Sequence, residues 1–157
     1  MEESAGMGYE QYEISNFAKP NCYAVHNTNY WKGVKYLGIG PSAHSFNGAS
    51  RKWNVSNNAL YTRNLIDKGV LMDEQETLSP EDSLNEYIMT SLRTMWGLDL
   101  NHVATVWGGD YASIILKNSE RYLEQEMIVK QDEKLILTRK GKLFADGIAG
   151  DLFVEQV

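Results

Sequence analysis

The chain has 157 residues, 43% of them apolar and 23% charged, with a formal net charge of −6, the size and balance of one globular domain or two small ones. Its one cysteine, Cys22, excludes an internal disulfide, a four-cysteine zinc site and an iron–sulfur cluster held by three or four thiolates of this chain. No run of about 18 apolar residues is present, and the acidic start (Glu2, Glu3, Glu10, Glu13) is unlike a signal peptide, so a cytoplasmic protein without a membrane span is expected.

Residues 2–7 read as the end of a helix. Over residues 9–14, Tyr12 and Ile14 alternate with Gln11 and Glu13, the period-two pattern of a half-buried strand. Lys19-Pro20-Asn21 closes it, because the residue before a proline is driven out of the helical region. A loop carrying Cys22, Tyr23, His26 and Asn27 then leads to Tyr30-Trp31. A second strand is expected over residues 35–39, where Gly38 and Gly40 either take positive φ or let another backbone or a ligand come close. Residues 52–55 form a third extended piece. A helix follows from about 58 to 68, with Leu60, Leu65 and Ile66 inward and Gly69 closing it. Residues 70–78 read as a linker with some extended character, which puts the domain boundary after 78.

The second unit, 79–157, opens on a helix start: Ser79 as N-cap, Pro80 at the first helical position, Glu81 and Asp82 against the helix dipole. Leu84, Ile88, Leu92 and Met95 recur at helical spacing, Tyr87 and Met89 widen the stripe, and Gly97 ends it. A short helix is expected over 102–107, broken by Gly108-Gly109. Asp110 caps another with Tyr111, Ile114 and Ile115 inward, and Ser119 starts one more through Tyr122 and Leu123. The period then changes: Met127-Ile128-Val129-Lys130 and Leu135-Ile136-Leu137 flank a polar Gln131-Asp132-Glu133-Lys134 as a β-hairpin. Thr138 caps a last helix that puts Leu143, Phe144, Ile148 and Leu152 on one side. Helices, then a hairpin, then a closing helix resemble a winged-helix arrangement.

The chemistry concentrates in residues 26–46. In His26-Asn27-x-x-Tyr30-Trp31, a neutral imidazole can ligate heme iron while its second nitrogen is oriented by an acceptor such as the Asn27 oxygen, and Tyr30 and Trp31 can stack on a tetrapyrrole. Chemistry alone favours the plainer alternative, in which His26 and Asn27 satisfy backbone groups and Trp31 packs in the core. Gly38-Ile39-Gly40-Pro41-Ser42-Ala43 has the outline of a dinucleotide fingerprint, but Phe46-Asn47-Gly48 arrive where a helix should open and no acidic residue lies near 60 to hold a ribose. The better reading is a strand ending in a turn at the rim of a barrel, with Ser42 and His44 toward a ligand, or with His44 bonding its own loop. Arg51 offers a fork to a carboxylate, although a surface salt bridge is the plainer account, and His102 reads as a surface histidine.

Tyr12-Glu13-Ile14-Ser15-Asn16-Phe17-Ala18-Lys19-Pro20, the His26-Asn27-x-x-Tyr30-Trp31 string and Gly38-Ile39-Gly40-Pro41-Ser42-Ala43-His44-Ser45 occur in this order. Arg51-Lys52-Trp53-Asn54-Val55, Leu78-Ser79-Pro80-Glu81-Asp82 and Thr138-Arg139-Lys140-Gly141 follow. Together they resemble the oxygen-independent coproporphyrinogen III oxidase-like radical S-adenosylmethionine proteins, and most of all their heme-chaperone branch. The resemblance implies an α+β fold: residues 1–78 as the last strands of a radical S-adenosylmethionine (β/α) barrel, residues 79–157 as a helical domain with a winged-helix-like β-hairpin. It implies heme or porphyrin at His26, Asn27, Tyr30, Trp31, Gly38, Gly40, Ser42 and His44, with His26 the candidate ligand to iron and no catalytic residue in this chain. The [4Fe–4S] cluster and S-adenosylmethionine would belong to a missing N-terminal barrel domain of a full-length parent. The rival reading is a non-enzymatic winged-helix interaction or regulatory module.

Nucleic acid is not expected as a partner. Residues 79–157 carry 8 Lys/Arg against 13 Asp/Glu, and Arg139, Lys140 and Lys142 are ringed by Asp132, Glu133, Asp146, Asp151 and Glu155. Barrel strands without their partners expose unpaired edges, so the chain is expected to pair with a second copy or to rearrange residues 1–55.

Overall fold

A computed structural model describes residues 2–69 and 73–155. In chain order the elements are α1 (Glu2–Gly6), β1 (Glu10–Glu13), β2 (Asn16–Ala18), α2 (Val25–Trp31), β3 (His44–Phe46), β4 (Ser50–Asn54), α3 (Asn58–Lys68) and β5 (Asp73–Thr77). They continue with α4 (Pro80–Leu92), β6 (Leu98–Asp99), α5 (Leu100–Val106), α6 (Gly109–Glu124), β7 (Ile128–Gln131), β8 (Lys134–Leu137) and, after a 3₁₀ turn over Gly141–Phe144, α7 (Ala145–Asp151).

The contacts divide the chain into two compact units, residues 1–32 with 80–157 and residues 33–79. Residues 1–32, expected with the segment up to 78, thus pack with the C-terminal residues instead. The reason is the hairpin of β1 and β2. Ile14 N donates to Arg93 O at 3.0 Å and Met95 N to Tyr12 O at 3.0 Å, so the open side of β1 is taken up by the chain leaving α4.

Every strand pairing among the described residues is antiparallel: β1–β2, β3–β4–β5, and β6–β8–β7. Parallel barrel strands, which need long crossovers, are absent from these residues. The two-residue link Ile14-Ser15 between β1 and β2 dictates an antiparallel hairpin. The linker expected over 70–78 proves to hold β5 in its later part, paired along β4; Val70, Leu71 and Met72 lie outside the described residues.

The core belongs to the first unit. Leu84, Ile88 and Leu92 on one stripe of α4 meet Leu98, Val103, Ile115, Ile128, Leu135, Ile148 and Leu152, all buried, and burying each such side chain contributes roughly 1.5–3 kcal/mol. Asp99 caps α5 by accepting from His102 N at 3.0 Å. The helix after Gly108 runs unbroken to Glu124, so Ser119 does not start a new one: it is fully buried in the middle of α6 and donates to Leu116 O at 2.7 Å. A hydroxyl that satisfies itself on the preceding turn can sit inside a helix.

Two apolar faces read as inward are outward. Leu143 is 70% and Phe144 56% exposed, because Gly141–Phe144 form a 3₁₀ turn whose geometry rotates these side chains away from the face that Ile148 and Leu152 share. On α3, Leu60, Leu65 and Ile66 are exposed and Asn64 is the buried residue. Asn57 caps this helix by accepting from Leu60 N at 3.0 Å, and Gly69 ends it in the left-handed conformation.

Candidate functional site

The eight candidate residues fall four into each unit. His26, Asn27, Tyr30 and Trp31 sit on α2, where a loop was expected. The helical spacing sorts them into two i, i+4 pairs. His26 and Tyr30 share the exposed side; Asn27 and Trp31 share the side that packs down, with Thr28 buried beside them. Trp31 is the more buried of the two rings, and Tyr30 is 49% exposed.

The underside of α2 rests on an aromatic and ionic floor. Asn27 Nδ2 donates to the Tyr12 hydroxyl at 3.2 Å. Tyr12 lies 5.2 Å from Tyr23 and 6.5 Å from Trp96, ring centre to ring centre, and Lys32 Nζ stands 4.6 Å over Trp96. Tyr30 and Trp31 meet edge to face at 5.6 Å. The Arg93 guanidinium lies 5.4 Å from the centre of the Trp31 ring and bonds Glu13 through Nε at 3.2 Å. Glu13 is only 1% exposed. Its carboxylate also accepts from Ser15 N at 2.9 Å and from Asn16 Nδ2, so the buried charge is both paired and hydrogen-bonded. Removing one partner of such a pair costs about 3–5 kcal/mol. Neither Thr28 Oγ1 nor Trp31 Nε1 finds an acceptor or donor among the described residues, an arrangement that costs roughly 1–3 kcal/mol per buried group.

Nearby, Lys142 Nζ donates to the Gln11 side-chain oxygen at 3.2 Å, and burial holds its ammonium below the usual lysine range. The hydrogen bond from the Tyr23 hydroxyl to Glu10, 2.5 Å long, pushes that phenol above its ordinary value.

Gly38, Gly40, Ser42 and His44 lie in the other unit. No strand forms over 35–39; one bridge joins Tyr36 to Phe46. The backbone of His44 passes so close that a Cβ on Gly38 would lie 2.1 Å from His44 O. Asn54, buried, donates from Nδ2 to Gly40 O at 2.9 Å, while Gly38 N donates to Ser45 Oγ at 3.0 Å and Gly40 N to the Tyr61 hydroxyl at 3.2 Å. The amides of Gly38 and Gly40 and the Gly40 carbonyl are thus held by neighbouring side chains. Ser42 takes φ of 59°, and His44 opens β3 with its ring 6.0 Å from Trp53. Arg51 stands 5.7 Å from the Phe46 ring, and His102 packs 4.9 Å from Tyr87.

Glu13, Tyr12, Thr28 and Arg93 were not among the expected site residues. Glu13 was hidden by a register shift in β1 between Gln11 and Glu13, which turns it inward against the period-two pattern.

Among the described residues no three His, Cys, Asp or Glu gather to hold a metal ion. A heme iron arrives with four nitrogens of its own and needs only one or two protein ligands; among the candidate residues on α2, His26 is the exposed imidazole. A [4Fe–4S] cluster held by three thiolates does not fit a chain with one cysteine.

Comparison with known proteins finds the following similarities. Residues 78–144 match the family model described as HemN C-terminal domain. The chain is homologous to the HemW heme chaperones. It is 28% identical over 150 residues to the heme chaperone HemW of Bacillus subtilis, covering 96% of this chain and 40% of that one. Over 44 residues it is 52% identical to the mitochondrial radical S-adenosyl methionine domain-containing protein 1 of Danio rerio, covering 28% of this chain and 9% of that one. Its fold matches that of the Escherichia coli coproporphyrinogen III oxidase HemN, a radical SAM enzyme, with a TM-score of 0.71 at 19% identity, over 98% of this chain and 39% of the enzyme. The chain thus spans about 40% of the length of the HemW and HemN relatives, and the residues that match the HemN C-terminal domain model include Arg93. Among the described residues no helix is long and apolar enough to cross a membrane.

Proposed function

We propose that this chain holds heme or a porphyrin as cargo at α2, within a protein of the heme-chaperone kind. His26 supplies the ligand to iron, Tyr30 lies against the ring, and Asn27 and Trp31 hold the helix from beneath. The observation that carries this reading is the exposed face of α2, where an imidazole and a phenol stand one turn apart on a helix braced from the other side. Passing heme to an acceptor requires it to be gripped reversibly, and a ligand on an open helix face suits that better than an enclosing pocket.

The oxidase reading asks for a cluster that cleaves S-adenosylmethionine, and the three thiolates for it would come from the part of the longer relatives that this chain does not span. This chain would then supply the C-terminal part of such a protein, with residues 1–32 and 80–157 as its support unit and residues 33–79 as a separate one. The order α4, β6, α5, α6, β7, β8 with sheet order β6–β8–β7 favours a winged-helix arrangement for that support. Its acidic balance opposes a phosphate backbone, so the arrangement serves packing rather than nucleic-acid binding.

Titrating hemin into the chain while following the Soret band tests the proposal. Wild type is expected to give a ligated heme spectrum, and His26→Ala to weaken it by about tenfold or more in affinity with a shifted maximum. Identical spectra for the two proteins would remove His26 from the site.

A further inference from the structure

Building on the assignment of heme to α2, we infer that Arg93 of the HemN C-terminal domain is a positioning residue for that heme, acting through Trp31. Arg93 lies just beyond the end of α4 and is held from three directions. Its Nε donates to Glu13 Oε1 at 3.2 Å, its Nη1 to Asp146 Oδ1 at 2.5 Å, and its backbone oxygen accepts from Ile14 N at 3.0 Å. Glu13 is itself clamped by Ser15 N and Asn16 Nδ2, so the guanidinium is held as a planar cation over the indole ring, its carbon 5.4 Å from the ring centre.

What this cation fixes is α2. The helix is seven residues long and no side chain caps its N-terminus, and a helix this short has little stability of its own. Its orientation comes from tertiary contacts: Asn27 on Tyr12 near one end, Trp31 under Arg93 at the other. Trp31 Nε1 has no acceptor among the described residues, so ring contact rather than hydrogen bonding sets the angle of the indole. Without it α2 can swing about Asn27, carrying His26 and Tyr30 with it. A metal–imidazole bond is directional, and a site displaced by as little as about 1 Å loses binding while the fold survives. A planar, delocalised cation stacks on an aromatic face in a way that a lysine ammonium does not reproduce.

Hemin titration of Arg93→Lys, Trp31→Phe and the double variant, with a thermal melt of each, tests this. Arg93→Lys keeps a cation for Glu13 and loses the planar guanidinium. It is expected to melt near wild type, bind hemin about tenfold more weakly and shift the Soret maximum. The double variant is expected to lose no more than the worse single one, since both cut the same path. Where Arg93→Lys does not fold, Glu13→Gln with Arg93→Met removes the ion pair without stranding a charge and is expected to show the same weakened, shifted binding. Wild-type affinity and spectrum in the folded variants, or fully additive losses, would overturn the role of Arg93. Failure of wild type to bind hemin would instead overturn the assignment of α2, and this inference with it.

Discussion

Glu13 shows how one side chain can tie distant parts of the chain together. A lone buried carboxylate would be driven to neutralise itself; here Arg93, 80 residues away in sequence, and two local donors make the charge tolerable. Nothing in residues 9–14 announces this, because the alternation of Tyr12 and Ile14 with Gln11 and Glu13 points Glu13 outward, and the register shift that turns it in has no mark in residue type. Gly38 is the opposite case. Its two open meanings, positive φ or close approach, were legible, and the structure realises the second at Gly38 and the first at Gly40, whose φ is 109°. Gly38→Ala is therefore expected to destabilise the unit of residues 33–79 by about 1–3 kcal/mol, measured by denaturant titration of the local Trp53 fluorescence. A midpoint equal to wild type would mean that the His44 backbone gives way freely.

Among the elements, α4 and the β7–β8 hairpin were readable because their periods persist, 3.6 over thirteen residues in one case and 2 on either side of a turn in the other. α2 was not, since seven residues that mix His, Asn, Thr, Tyr and Trp carry no helical stripe and no cap. Packing of its underside, with Thr28 buried, Asn27 on Tyr12 and Trp31 under Arg93, makes them a helix, and the division of the four site residues into an open and a packed pair follows from that. The single run of α6 across Ser119 escaped notice for a related reason: a serine is a starting signal only when its hydroxyl is free for the following turn. One consequence of packing on α4 can be titrated. Burial, more than any other influence, raises the Tyr87 phenol above its ordinary value, even though its oxygen accepts from Asp99 N at 3.3 Å. Above about pH 10 an unfolded tyrosine loses its proton while Tyr87 in the folded chain keeps it, so the unfolded state binds fewer protons and stability falls as pH rises. This contribution is fully present below that pH. Tyr87→Phe is expected to flatten the decline of melting temperature across the alkaline range; an unchanged slope would assign the decline to other groups.

At the scale of the whole chain, the apolar core sits in one unit, whereas the unit of residues 33–79 leaves Ile39 83% and Ile66 77% exposed. Apolar side chains shown to water at this density favour association. Sedimentation at rising concentration is expected to reveal self-association, reduced by Ile39→Glu with Ile66→Glu, and a monomer at every concentration would contradict it. The family strings along the sequence located the chain among its relatives without revealing which residues close the structure, because such strings say nothing about what is near in space. The residues that match the HemN C-terminal domain model pack in one unit with the first 32 residues of the chain. A polypeptide begun at residue 79 would therefore strip α4 of the strand that its departing backbone bonds and leave the guanidinium at 93 without its buried carboxylate and its indole, so the apparent seam before the second helical run is the wrong place to cut.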